Sequence, residues 1–221
     1  MIRDALRVYL ITDTDLCGPR GVGATTRAAV AGGVTAVQLR DPAATARQLC
    51  RAAAELLEVL AGTGVPLLIN DRVDVAMAVG AQGVHLGQSD LPPAAARQLA
   101  GDGFIIGWSV TEPGQLRALE GLAPGTVDYL GVGPVYATAT KPDAATPIGV
   151  TGIGEVCRHS PLPVVGIGGI DATNAGAVIH AGAVGVSVIS AICGAADAEA
   201  AARALGAAVT ARSSARRATS R

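Results

Sequence analysis

A single (β/α)8 barrel, the TIM barrel, is the fold this sequence predicts, and three observations predict it. Eight short β-branched or glycine-edged runs recur along the chain, at residues 8–12, 36–40, 66–70, 83–87, 104–109, 128–132, 163–167 and 185–189. Alanine-rich segments with helical spacing separate them, so strands alternate with helices and pair in parallel through right-handed crossovers. The chain of 221 residues shows no linker, and that length suits eight strand–helix units in one domain.

Taken in order, the first run ends in Thr12-Asp13-Thr14-Asp15-Leu16, which lacks the glycine fingerprint that a doubly wound nucleotide-binding sheet carries there. The second run leads into a helix over 43–60, and the third into one over 72–79. The fourth precedes a helix over 91–100, where Pro92 and Pro93 suit the first turn. Further helices are predicted from Pro113, Gly149, Asp171 and Asp197, with the two aspartates as N-caps. Residues 1–211 read as one domain. Residues 212–221 are serine, threonine, arginine and alanine without apolar periodicity and read as a disordered tail, its arginines solvated rather than bound to nucleic acid.

Composition narrows the function classes. Half the residues are hydrophobic, enough for one sizeable core, and the net charge of −1 gives no reason to expect a nucleic-acid or membrane partner. Cys17, Cys50, Cys157 and Cys193 have no CxxC spacing, so a disulfide framework or zinc site is not expected. Reduced thiols in the cytoplasm are the simpler account. No apolar run reaches the roughly 18 residues of a membrane span, and Met1 is followed by Arg3 and Asp4 with no signal-peptide core.

In such a barrel the loops after the strands build the active face, and the polar residues fall there. The second run ends in Gln38, Arg40 and Asp41, the third in Asn70 and Asp71, the fourth in His85, Gln88 and Asp90, and the fifth in Ser109. Asp71 and Asp90 follow consecutive strands, which lie about 5 Å apart, so two hard carboxylates could share one magnesium ion. The alternative makes each a helix cap. The sixth run opens into a loop carrying Thr138, Thr140 and Lys141, the chain's only lysine, a set suited to an anionic group. The turn Gly166-Ile167-Gly168-Gly169-Ile170 presents bare amides where barrels often hold phosphate.

Together these residues resemble the thiamine phosphate synthase family, with every marker in order from about Val8 to Leu205. Gln38-Leu39-Arg40-Asp41 is similar to its Q-L-R-E/D motif, Asn70-Asp71 to its N-D, and Val84 through Asp90 to its V-H-L-G-Q-x-D. Gly107-Trp108-Ser109 matches its G-x-S, Gly133-Pro134 with Thr138 to Lys141 its G-P and T-x-T-K, and Gly166 to Ile170 its G-I-G-G-I. Gly185 to Ser190 matches the last marker.

The resemblance implies a transferase that joins hydroxymethylpyrimidine diphosphate to a thiazole phosphate, releasing pyrophosphate. It implies magnesium on Asp71 and Asp90, the pyrimidine diphosphate on Gln38, Arg40 and Asn70, and its ring and leaving group on Ser109 and Lys141. Thr138, Thr140, Gly169, Ile189 and Ser190 would hold the thiazole phosphate. Arg40, Lys141 and Ser109 are the expected catalytic groups, and His85 is expected to line the pyrimidine pocket, with a structural buried histidine as the alternative. The partners are small molecules, and self-association is left open.

No Ser-His-Asp or Cys-His set is evident, and His159 and His180 fall in helices away from the active face. Loss of pyrophosphate to a stabilised pyrimidine cation needs no strong base or protein nucleophile. The motif departs from the family at Pro42, where a lysine is usual, which removes a cation from the diphosphate pocket. A thiazole tautomerase of the same fold relies on a histidine after the fifth-strand serine, and Ser109-Val110-Thr111-Glu112 offers none. A non-catalytic phosphate-binding barrel is disfavoured by both aspartates, Arg40 and Lys141. The loop over 137–147 reads equally as a mobile lid or a rigid excursion.

Overall fold

The computed structural model describes residues 2–140 and 145–219, with side chains as far as residue 211. Eight strands, β1 (Val8–Ile11), β2 (Ala36–Leu39), β3 (Leu67–Asn70), β4 (Gly83–Leu86), β5 (Ile105–Val110), β6 (Tyr129–Val132), β7 (Val164–Ile167) and β8 (Gly185–Val188), close into a barrel in sequence order. Every neighbouring pair is parallel, including β8 with β1. Each strand lies within its predicted run or oversteps it by one residue. The runs were legible because a parallel barrel strand is covered on both faces and therefore reads as nearly continuous Val, Ile and Leu.

Alternation along each strand divides the core in two. Val8, Leu10, Val37, Leu39, Ile69, Val84, Leu86 and Ile106 belong to the large cluster shared with the surrounding helices. Leu6, Tyr9, Ala36, Leu68, Tyr129 and Val165 form a smaller one that fills the barrel. Tyr9 and Tyr129 meet edge to face inside it, with ring centroids 6.0 Å apart, and the His85 ring lies 5.5 Å from that of Tyr129. Rings of this size fit because their neighbours in register are glycines: Gly107 pairs with both His85 and Tyr129, and Gly131 pairs with Ser109. A Cβ on Gly107 would fall 2.2 Å from Cζ of Tyr129, and one on Gly131 would fall 2.8 Å from Cε1 of His85.

The helices follow the prediction with local differences. The helix expected over 43–60 is Ala46–Leu60, started by a capping box between Thr45 and Gln48 that holds the preceding residues in a turn. The proline-opened segment is Pro93–Ala100, with Pro92 as N-cap. After β5 the chain forms a 3-10 helix, Pro113–Leu119, rather than an α-helix; none of its residues is buried, so no apolar face rewards a longer element. Asp171 does not open a helix. Its carboxylate accepts from the Thr173 amide and hydroxyl in a tight turn, and the helix is Ala175–Ala181. Asp197 does act as a cap, accepting from the Ala200 amide at 2.9 Å ahead of Ala198–Thr219.

One side chain ties the barrel seam. Arg20, after β1, donates to the carbonyls of Cys193, Ala195 and Ala196, after β8, at 3.0–3.2 Å and to the Thr25 hydroxyl at 2.9 Å. No disulfide joins any of the four cysteines. Among the described residues no helix is long and apolar enough to cross a membrane. The last helix runs on through Thr219 into the stretch expected as a tail, where side chains are not described.

Candidate active site

Asp71, just after β3, and Asp90, in the turn after β4, face each other closely enough for Asp90 to disfavour the ionised Asp71 carboxyl. Neither caps a helix. Asp71 has a left-handed backbone, with φ of 61°, an uncommon state for a residue other than glycine. Its amide donates to the His85 carbonyl at 2.8 Å while the Arg72 amide turns back to the Asn70 carbonyl at 2.7 Å. That kink holds the carboxylate at the rim, where Asn70 donates to it at 2.7 Å. Asp90 returns to the same place because its Oδ2 accepts from the Gly87 amide at 2.7 Å. Burial and the facing Asp90 raise the Asp71 carboxyl to about 6, with Arg40 and Asn70 pulling the other way.

Below the rim a chain of hydrogen bonds crosses the barrel interior. Gln38 Nε2 donates to the Tyr9 hydroxyl at 2.7 Å, and the Tyr9 and Tyr129 hydroxyls lie 3.0 Å apart. The Tyr129 hydroxyl is 2.9 Å from His85 Nδ1, and His85 Nε2 is 2.9 Å from the Ser109 hydroxyl. Five residues from five strands thus form one line ending at the barrel mouth. Burial pushes the His85 imidazole down to about 4 and the Tyr9 phenol up to about 12, and raises that of Tyr129 well above its usual value.

Ser109 and His85 do meet, but among the described residues they form no Ser-His-Asp set. Nor is the contact a nucleophile–base couple. The third member is a neutral phenol where a triad places a carboxylate, and an imidazole held near 4 is a weak base at neutral pH.

The other rim segment is built by β6 and β7. The Val135 and Tyr136 amides donate to the Ile167 and Gly168 carbonyls at 2.8 and 3.0 Å, so the loop after β6 lies on the turn after β7. Gly168 and Gly169 have φ of 94° and 62°, and a Cβ on Gly169 would fall 2.5 Å from the Ala137 carbonyl oxygen. Only glycine serves both needs. Thr138 Oγ1 accepts from the Thr140 amide at 3.3 Å, and Ile189 and Ser190 follow β8, the next strand round. Lys141 lies outside the described residues, as does part of the 137–147 loop.

A family model for thiamine monophosphate synthase matches residues 8–192. The chain belongs to the thiamine monophosphate synthase family. It is 54% identical over 200 residues to a thiamine-phosphate synthase of Azorhizobium caulinodans, covering 90% of this chain and 93% of that one. It is 53% identical over 206 residues to one of Xanthobacter autotrophicus, covering 93% and 96%. Among solved structures it is similar to a thiamine phosphate pyrophosphorylase from Pyrococcus furiosus, with a TM-score of 0.86, 36% identity, and coverage of 96% and 99%.

Within the thiamine monophosphate synthase family, Pro42 now has a structural role. Asp41 to Ala44 form a turn closed by the Ala44 amide on the Asp41 carbonyl at 3.3 Å, with Pro42 in its second position, where its fixed φ is favourable. The Asp41 carboxylate is occupied by the Thr14 hydroxyl at 3.2 Å and the Ala43 amide at 3.2 Å. Sequence reasoning missed Tyr9 and Tyr129. Each sits in a run that reads as core, and the available signal was compositional: two of only three tyrosines lie within predicted strands made chiefly of aliphatic residues and glycine.

Proposed function

We propose that this chain condenses 4-amino-5-hydroxymethyl-2-methylpyrimidine diphosphate with a thiazole phosphate, giving thiamine phosphate and pyrophosphate. The observation that carries the reading is the meeting of Asp71 and Asp90 on one rim, next to Asn70 and within the field of Arg40, in a member of this family. Two carboxylates whose proximity makes one of them hard to ionise are a natural seat for a divalent cation. Two carboxylate ligands suit magnesium, which takes its remaining positions from water and substrate phosphate. Among the described residues no larger cluster of metal-ligating side chains competes. When bound, magnesium would offset the charge of the departing diphosphate.

The protein's own groups then have simple tasks. Arg40 and Lys141 hold the diphosphate oxygens as fixed cations, and Asn70 orients Asp71. Gln38, His85 and Ser109 line the floor on which the aminopyrimidine ring lies. Thr138, Thr140, Gly169, Ile189 and Ser190 seat the thiazole phosphate beside it. The carbon–oxygen bond breaks with its electron pair leaving on pyrophosphate, and the thiazole nitrogen lone pair forms the new carbon–nitrogen bond. No proton need be removed, which suits a site whose histidine is a weak base and whose interior relay is uncharged.

Residues 1–211 serve in this reading as the whole catalytic domain and 212–221 as a tail. Its partners are two small phosphorylated substrates, with no nucleic acid or membrane, in the cytoplasm. Pyrophosphate release measured with both substrates and magnesium, and mass analysis of the product, tests the proposal. Release that requires both substrates and yields thiamine phosphate supports it; no release, or isomerisation of the thiazole alone, overturns it.

A further inference from the structure

The buried line from Gln38 to Ser109 has a direction, and the direction determines what Ser109 can bind. Gln38 Nε2 is an amide nitrogen and can only donate, so the Tyr9 oxygen accepts. Each phenol owns one hydrogen. That of Tyr9 therefore goes to Tyr129, and that of Tyr129 goes to His85 Nδ1. A neutral imidazole that accepts at Nδ1 carries its proton on Nε2, and Nε2 faces the Ser109 hydroxyl. Ser109 Oγ accepts there, which leaves its own hydrogen free to point elsewhere. Ser109 is half-buried on β5, at the end of the line.

We propose that Tyr9 and Tyr129 are positioning residues that fix His85 as its Nε2–H tautomer and so turn Ser109 into a hydrogen-bond donor to a ring nitrogen of the aminopyrimidine. The ligand half of this statement rests on the function proposed above; the tautomer half rests on the interior geometry alone. Two features set the arrangement apart from ordinary core packing. The rings occupy space that Gly107 and Gly131 leave open, where any side chain would overlap Tyr129 or His85. The line also contains no carboxylate, so no formal charge is placed beneath a ring on which positive charge develops. Ring nitrogens accept and the exocyclic amine donates, so a donor-only serine also selects how the ring lies in the pocket.

The test has a spectroscopic arm and a kinetic arm. Long-range proton–nitrogen correlation spectra of the uniformly labelled protein contain only three histidines, and His85→Asn identifies the one of interest. The expected spectrum shows His85 with unprotonated Nδ1 and protonated Nε2 at neutral pH, and a mixture of tautomers in Tyr129→Phe. An Nδ1–H tautomer in the native protein, or an unaltered tautomer in Tyr129→Phe, overturns the relay.

In the kinetic arm, Tyr9→Phe and Tyr129→Phe raise the KM for the pyrimidine diphosphate about tenfold, the worth of one hydrogen bond, and leave the KM for the thiazole phosphate unchanged. Equal changes in both KM values would mean a merely structural role and overturn the positioning claim. Tyr9→Phe acts one hydrogen bond further from Ser109 than Tyr129→Phe does and keeps the test decisive if Tyr129→Phe folds poorly. An inactive native protein would overturn the function and the ligand assignment, whereas the spectrum still judges the relay.

Discussion

Replacing Gly107 by alanine adds one methyl group, and the barrel has no room for it. The new Cβ would lie 2.2 Å from Cζ and 2.3 Å from the hydroxyl of Tyr129, and 2.5 Å from His85 Nδ1. Carbon atoms in contact need roughly 3.5–4 Å, so the ring must retreat by about 1.5 Å. It cannot do so freely: Tyr129 is fully buried, with Tyr9 packed edge-on against it and His85 held to its hydroxyl. Overpacking of this kind costs about 1–3 kcal/mol, and the strained hydrogen bonds put this site at the upper end. For a domain of this size about 3 kcal/mol lowers Tm by roughly 6–12 °C. The control is Gly103→Ala, whose Cβ meets nothing within 4 Å and whose effect should stay within about 0.5 kcal/mol. Thermal and urea melts of the two variants decide the matter. A Gly107→Ala protein as stable as wild type would mean that the tyrosine ring does not occupy the barrel centre.

Other perturbations give equally definite expectations. Arg20→Ala removes the donors that join the segments after β1 and β8 and should lower stability by about 2 kcal/mol in urea melts, with Arg20→Lys recovering only part because an ammonium cannot span the same carbonyls. Asp71 binds its proton more tightly in the folded chain, near 6 against an ordinary 3.8, so its contribution is fully present below pH 3.8 and is lost as pH rises through 6. In metal-free melts Asp71→Asn should therefore gain on wild type between pH 4.5 and 7.5, by about 1 kcal/mol once solvent screening at the rim is allowed for. A difference independent of pH would contradict the carboxylate pairing. Pro42→Lys restores a cation beside Arg40 and should lower the KM for the pyrimidine diphosphate severalfold; an unchanged KM would show that nothing was missing at the turn.

Much of this molecule is written in patterns that a single strand carries by itself. The eight runs were readable because each barrel strand is buried on both faces, and Asp71, Asp90 and Ser109 were readable because strand ends are where polar residues depart from that rule. What escaped notice depends on pairing between strands. Nothing local to Tyr9 says that Tyr129, 120 residues later, supplies the other half of a hydrogen bond. The Ser109–His85 pair needed the β4–β5 register, which only the closed barrel fixes. Gly107 was legible only as a letter of the G-x-S motif and Gly131 only as part of the sixth run, and their purpose became visible only with the rings they accommodate. Asp171 misled for a different reason: an aspartate that closes a tight turn and one that caps a helix satisfy the same backbone amides, and sequence does not separate them.

The central claim is that two rim carboxylates jointly hold the cation against which pyrophosphate departs. Pyrophosphate release by wild type and Asp90→Ala, side by side at saturating magnesium and both substrates, tests it most directly. Loss of a charge-stabilising group at such a site is expected to lower turnover by about 10²-fold or more while the melting curve stays near that of wild type. Turnover by Asp90→Ala at the wild-type rate, in a protein that remains folded, would contradict it.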